Sequence, residues 1–223
     1  MNRPQKSQGS GQPIELRAGN VLLHGDLHVP DGARGIVLFA HGSGSSRRSS
    51  RNRFVAGLLR EGLLATLLTD LLTAQEEAAD ATTGHLRFDI DLLGERLVAL
   101  IDWLHSEAET RSLPIGLFGA STGAAAALVA ASLRPRVART IVSRGGRPDL
   151  ARAALPRVTA PTLLIVGERD TAVIELNREA FEHLGGEKAL IIVPRATHLF
   201  EEPGALEEVG RLAREWFARH LEV

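Results

Sequence analysis

A single α/β domain built on a mostly parallel sheet is predicted by three features of the chain: its size, its alternation of short apolar runs with longer segments of helical period, and the continuity of those runs. With 223 residues, 44% of them hydrophobic, the chain can fill one core and is short for two. The run Gly35–Ala40 (G-I-V-L-F-A) contains no polar residue, as a strand covered on both faces requires. About eight strands flanked by helices are expected.

Residues 1–13 (M-N-R-P-Q-K-S-Q-G-S-G-Q-P) are polar and contain Gly and Pro but no apolar core of a secretion signal. They predict a disordered tail ahead of a domain at 14–223, and a cytoplasmic protein. Strands at 14–17 and 21–29 lie close enough in sequence to pair as a hairpin at the sheet edge, and Pro30-Asp31-Gly32 turns the chain out of the second. Strand Gly35–Ala40, a Gly/Ser/Arg loop, a helix at 52–61 and a strand at 65–69 follow. The helix at 89–106 carries Ile90, Leu93, Leu97, Leu100, Ile101 and Leu104 on one stripe, with Trp103 packed beside it. The acidic run Glu76, Glu77 and Asp80 before it is expected to be solvated surface. The second half gives strand 115–118, helix 122–132, strands 140–143 and 162–166, helix 173–184, strand 189–193 and helix 206–220. In the last helix Trp216 and Phe217 join Leu212 in the core. Between 143 and 161, Gly145, Gly146, Pro148 and Pro156 leave room for one short helix near 149–155, so no cap domain or lid is expected.

Charge and composition exclude several classes. Lys and Arg number 26 against 27 Asp and Glu, a net charge of -1, which offers no basic field to a nucleic acid. There is no cysteine, and so no disulfide, thiolate metal site or thiol nucleophile. Apolar runs such as 124–131 fall short of the roughly 20 residues of a membrane span. His24 and His28, four positions apart in a strand, stand about 13 Å from each other and cannot share an ion. Neither a metal nor a cofactor is expected.

The informative motif is Gly119-Ala120-Ser121-Thr122-Gly123, directly after one apolar strand and directly before the alanine-rich stretch that follows. A sharp strand-to-helix turn presents a serine oxygen at the carboxyl edge of a sheet, and small flanking residues are what so tight a turn admits. Ser121 in this setting is a nucleophile, and it needs a base to take its proton. An acid followed by a histidine is then expected after later strands. Asp170, in Gly167-Glu168-Arg169-Asp170 after strand 162–166, is placed to orient an imidazole, with Asp149 in reserve. His198 lies in a loop after strand 189–193, whereas His183 and His220 fall in helices. Ser121 and Asp170 could each instead be ordinary helix N-caps. Attack on a carbonyl also requires donors for the oxyanion. Thr122 N–H, just after the nucleophile, and Ser43 N–H, in His41-Gly42-Ser43-Gly44-Ser45-Ser46 after strand Gly35–Ala40, are the expected pair. His41 is a candidate substrate contact. So is Arg144, because loops at that edge border the pocket and a guanidinium can grip a carboxylate or phosphate. Arg47, Arg48, Arg51 and Arg53 are read as a solvated basic loop paired with surface acids.

These motifs resemble the α/β-hydrolase superfamily, over nearly the whole chain and in strand and motif order. Within it the H-G-S-G-S-S loop, the G-A-S-T-G turn and the compact length look most like the group related to dienelactone hydrolase. The resemblance implies Ser121 as nucleophile, Asp170 as acid, His198 as base, and Thr122 with Ser43 as oxyanion donors. Dienelactone hydrolases proper use a cysteine nucleophile, so the serine here implies an esterase acting on small carboxylic esters. A thioesterase or acyltransferase would share every one of these residues, and a non-catalytic binding protein could keep the pocket alone.

Overall fold

Among the residues described by the computed structural model, 11–221, eight strands share one sheet. They are β1 (Gln12–Ala18), β2 (Val21–His28), β3 (Gly35–Ala40), β4 (Leu64–Thr69), β5 (Ile115–Ala120), β6 (Ala138–Arg144), β7 (Thr162–Gly167) and β8 (Lys188–Val193). Their order is β1-β2-β4-β3-β5-β6-β7-β8. β1 and β2 run antiparallel to each other and β2 antiparallel to β4, and every later pair is parallel. Gln12 and Pro13, expected in the tail, instead open β1 opposite Leu27 and Asp26. An edge strand tolerates a proline because one of its sides needs no ladder donor. The rest of the expected tail, 1–10, lies outside the described residues.

The six α-helices among the described residues are α1 (Ser50–Glu61), α2 (Ala74–Thr83), α3 (Ile90–Ser106), α4 (Thr122–Leu133), α5 (Thr171–His183) and α6 (Ala205–His220). One core layer joins α3, α4 and α5 to the sheet through residues such as Leu97, Ile101, Leu128 and Ala180. The other joins α1 and α6 through Val55, Leu59, Phe118, Val142 and Phe217. Trp216 of α6 packs at the margin of that layer and donates its indole N–H to Thr140 Oγ1 at 2.9 Å. Both faces of the central strands are therefore covered, and β3, β4, β5 and β7 are buried at every position.

Helix α2 was not expected, and it changes the fate of the acidic run. Thr73 caps it, accepting from Glu76 N–H at 3.2 Å while Glu76 accepts from Thr73 N–H at 2.8 Å, and Gly84 ends it at φ 65°. Glu76 is not solvated surface: it holds the buried Arg96, and this guanidinium pulls its carboxyl down to about 2. Asp80 is buried as well, accepting from Leu86 N–H at 2.6 Å and Arg87 Nε at 2.5 Å. Glu77 alone of the three is exposed.

The connection from β6 to β7 is a 3₁₀ segment, Pro148–Arg157, where a short α-helix was expected. Arg152 at φ 36° interrupts it, Pro156 sits within it, and Ala151, Ala154 and Leu155 bury themselves in the core. The connection is thus held down against the domain and adds no second layer over the sheet edge. No helix among the described residues is long and apolar enough to cross a membrane.

Candidate active site

β3 and β5 are neighbours although β4 lies between them in sequence, so the connections diverge at their carboxyl ends. Such a switch point opens a crevice in an α/β sheet. Ser121 stands there, between β5 and α4, at φ 50° and ψ −122°, a backbone conformation that costs a non-glycine residue about 1–3 kcal/mol and is kept where function needs it. The two glycines of the motif make the turn possible. A Cβ on Gly119 would lie 2.4 Å from Ala124 Cα, and one on Gly123 would lie 2.3 Å from Ala40 O. Ser121 occupies the N-cap position of α4 but makes no capping bond. Its hydroxyl is left for other chemistry.

Asp170 repeats the pattern. It is the N-cap residue of α5 and makes no side-chain cap; its Oδ2 instead lies 2.6 Å from His198 Nδ1. The expected acid and base are therefore brought together. The reserve acid Asp149 is gripped by Arg147 Nε and Nη2 at 2.8 and 2.7 Å. The His198 loop is fixed from both ends. Arg195 N–H donates to Glu168 Oε2 at 2.7 Å, Thr197 N–H donates to Glu202 Oε2 at 3.1 Å, and buried Phe200 anchors the loop in the α1/α6 layer. The imidazole lies beside the elbow's neighbour strand, since a Cβ on Gly145 would stand 3.5 Å from its Cε1 and Nδ1. No hydrogen bond joins His198 to Ser121 in this structure, a contact that ligand-free sites often leave loose.

The loop after β3 closes on the elbow as expected, with a Cβ on Gly42 falling 2.9 Å from Ser121 Cβ. The two expected oxyanion donors are adjacent, but one is engaged: Ser43 N–H donates to Thr122 Oγ1 at 2.9 Å. Thr122 N–H opens the first turn of α4, where no intrahelical acceptor exists. His41 does not offer a ring nitrogen to a substrate. Its Nδ1 bonds Gly42 O and its Nε2 accepts from Leu71 N–H, both at 3.0 Å. Burial holds this imidazole below its ordinary range, in keeping with a neutral strut between the loops after β3 and β4.

A cleft of about 330 Å³ borders the elbow, lined on one side by His41 to Ser46 and Thr122 and on the other by Leu72, Glu77, Arg87 and Leu93. The α2 region that supplies part of this wall was missed in the sequence. Of the arginine loop, Arg47 bonds Asp70, Arg53 lies 3.6 Å from Asp26 and Arg51 lies 3.0 Å from Glu201. Arg144, at the end of β6, is buried with no carboxylate partner.

A doubly covered, mostly parallel sheet with a serine at the strand-to-helix turn after its central strand is the architecture of the α/β hydrolases. The chain belongs to the dienelactone hydrolase family, whose model matches residues 23–221. Among solved structures, dienelactone hydrolase from Anabaena variabilis is 57% identical, covers 97% of this chain and 100% of its own, and superposes with a TM-score of 0.94. A Xanthomonas campestris protein described as an α/β serine hydrolase without lid shares the fold at 19% identity, 99% coverage of both chains and a TM-score of 0.76. Mycobacterium tuberculosis proteins carrying the name "Putative phosphoribosyl transferase" are 56% identical over 211 residues, 94% of this chain. The chain spans 46% of the length of those relatives.

Proposed function

We propose that the chain hydrolyses small carboxylic esters through an acyl-enzyme on Ser121. The observation that carries this reading is that Ser121 and Asp170 both hold N-cap positions and cap nothing, the one strained at a tight turn and the other bonded to His198. In the proposed course His198 takes the Ser121 proton as Oγ attacks the ester carbonyl carbon. Asp170 holds the imidazole in the tautomer with its proton on Nδ1 and steadies the imidazolium. Thr122 N–H, and Ser43 N–H once it turns from the threonine hydroxyl to the more strongly accepting oxyanion, stabilise the tetrahedral adduct. The imidazolium then protonates the leaving alcohol. Water, activated by the same histidine, releases the acid. A lactone is a cyclic carboxylic ester, so the name of the Anabaena protein agrees with this bond class. The name of the mycobacterial relatives belongs to proteins of which this chain matches less than half, and the hydrolase reading is proposed for the matched segment.

Incubation with a fluorophosphonate, followed by peptide mapping, should place the adduct on Ser121. Ser121→Ala should fold normally, take up no label and lose at least about a thousandfold in kcat/KM. Near-normal turnover by the folded variant would overturn the reading.

A further inference from the structure

A second cavity lies at the amino-terminal ends of β5 and β6, at the opposite edge of the sheet from the elbow. It measures about 250 Å³, and its wall includes Arg111, Arg136, Arg139, His105 and His220 but no carboxylate. Elsewhere the charges are mixed. Glu77 and Asp80 share the elbow cleft with Arg87, and Glu202 and Glu208 share the cavity beside the His198 loop with Arg169 and Arg195. A wall of one sign is therefore a local feature in a chain whose net charge is -1. A concavity lined in this way focuses its potential on ions of the opposite sign.

The three arginines are exposed, and no hydrogen bond or ion pair joins their side chains to another described residue. Arg134, two positions before Arg136, is by contrast held by Asp102 through two bonds of 2.7 Å. Arg139 is also placed by an irregularity of the sheet. Ile115 pairs with Ala138 and Gly116 with Thr140, so Arg139 between them has no partner in β5. Such bulges are rare between parallel strands, and they re-aim a side chain. Here the side chain is part of the cavity wall. His220 adds a buried polar atom. Its side chain is only 10% exposed, its ring lies 4.4 Å from that of Trp216, and its Nε2 is buried without a hydrogen bond. Glu187 Oε1 stands 3.7 Å from that nitrogen, is shared with Arg219 at 3.4 Å, and does not line the cavity. A buried nitrogen left in this way costs free energy that a ligand can recover.

We propose that this cavity binds a small phosphate monoester through Arg111, Arg136 and Arg139, at a site separate from the catalytic centre. A phosphoryl group carries about −1.5 to −2 charges at pH 7 and three strongly accepting oxygens. Those suit three guanidiniums brought from two segments, one before β5 and one around the start of β6. A carboxylate, with one charge and two oxygens, would leave part of the wall unmatched. Leu113, Pro114 and Val137 line the same cavity and give the carbon part of the ester an apolar surface. The distance from the elbow is fixed by β5. Ile115, in the cavity wall, and Ala120, next to Ser121, are its two ends, and six strand residues span about 20 Å. The ligand is therefore not held for attack by Ser121, and the site stands whether or not that serine is a nucleophile.

Titration calorimetry with glycerol phosphate, inorganic phosphate and succinate, at constant ionic strength so that screening is the same throughout, tests the site. Glycerol phosphate should bind at least as tightly as inorganic phosphate and at least tenfold more tightly than succinate. The double variant Arg136→Gln/Arg139→Gln should weaken both phosphates tenfold or more. Arg17→Gln/Arg157→Gln removes the same charge from exposed positions outside the cavity and should bind as the wild type does. The unmutated protein carries its own reporter. The indole N–H of Trp216 donates to Thr140, the residue after the bulge, so its nitrogen-15 resonance should shift with glycerol phosphate and saturate at the calorimetric Kd. Absence of saturable phosphate binding overturns the proposal. So does succinate binding as tightly as the phosphates, or equal weakening in the two double variants, which would reduce the effect to net charge. A Trp216 resonance that stays still while glycerol phosphate saturates the protein would put the ligand elsewhere and overturn it as well, however the variants behave.

Discussion

At two helix N-termini the residue in the capping position withholds its side chain from the helix, and those two residues are the candidate nucleophile and the candidate acid. The residue types and their places in the motif were legible in the sequence, because a serine between glycines after an apolar run leaves few alternatives. Partnership was not. Whether Asp170 would cap α5 or orient His198, and whether His41 would face the pocket or brace two loops, depends on contacts between distant segments that no local pattern encodes. The Asp170–His198 pair makes a sharp prediction. Asparagine is nearly the same shape, but its amide offers Nδ1 a donor as well as an acceptor and no charge to steady the imidazolium. Asp170→Asn should reduce kcat by about 10³–10⁴ while changing KM little. A loss smaller than tenfold, measured by steady-state kinetics on a reactive ester, would show that Asp170 does not orient the base.

Elements set these residues in place, and here legibility followed amphipathicity. Strands with continuous apolar runs and helices with a clear stripe were found to within a few residues, whereas α2 was missed because its A-Q-E-E-A-A-D-A-T-T has no stripe to bury. The T-A-Q-E sequence at its start was nevertheless a capping box in plain view, and Gly84 was a stop signal. Two loop junctions are open to test. A Cβ on Gly167, where β7 ends, would fall 2.4 Å from Ala196 O in the His198 loop. Gly167→Ala should therefore displace that loop and cut both kcat/KM and the rate of fluorophosphonate labelling at least tenfold, since both need His198 in place. Equal rates in the two proteins would show that the loop yields at no cost.

His41 couples the loops after β3 and β4 and gives a pH dependence. Because burial holds its folded-state value below 6.5, the unfolded chain binds a proton that the folded one refuses. Stability is then unaffected by this group above pH 6.5 and declines as the pH falls from 6.5 through the lower folded value. His220, lowered chiefly by burial as well, adds to the same slope. Urea unfolding at pH 7.5, 6.5 and 5.5 should show the decline. His41→Asn should be about 1–3 kcal/mol less stable at pH 7.5, having left Leu71 N–H short of its acceptor, and should fall less steeply below pH 6.5. An unchanged slope would place the titrating group elsewhere.

At the scale of the whole molecule, the absence of a lid between β6 and β7 governs access. The connection is pinned to the core by Ala151, Ala154 and Leu155, and the cleft beside the elbow is about 330 Å³, with Leu72 and Leu93 its large apolar walls among the described residues. A long acyl chain would find little surface to bury, so each added methylene should gain far less than the roughly 0.8 kcal/mol of full burial. Across an acyl series from C2 to C12, kcat/KM should peak among the short esters and show no jump where micelles form. A steady rise to C12 would reveal an apolar cover that the described residues do not provide.

The four strand ends that furnish Ser43, Ser121, Asp170 and His198 are scattered along the chain, and each pairs with its neighbours only after an intervening crossover has been closed. Such non-local pairing is slow in folding, while helices form early from local contacts. During refolding from denaturant, helical signal should therefore return well before any covalent reactivity at Ser121. A half-assembled chain holds a serine with neither its strained turn nor its base, so it is chemically silent. Recovery of fluorophosphonate labelling is thus a report on the final docking of β7 and β8.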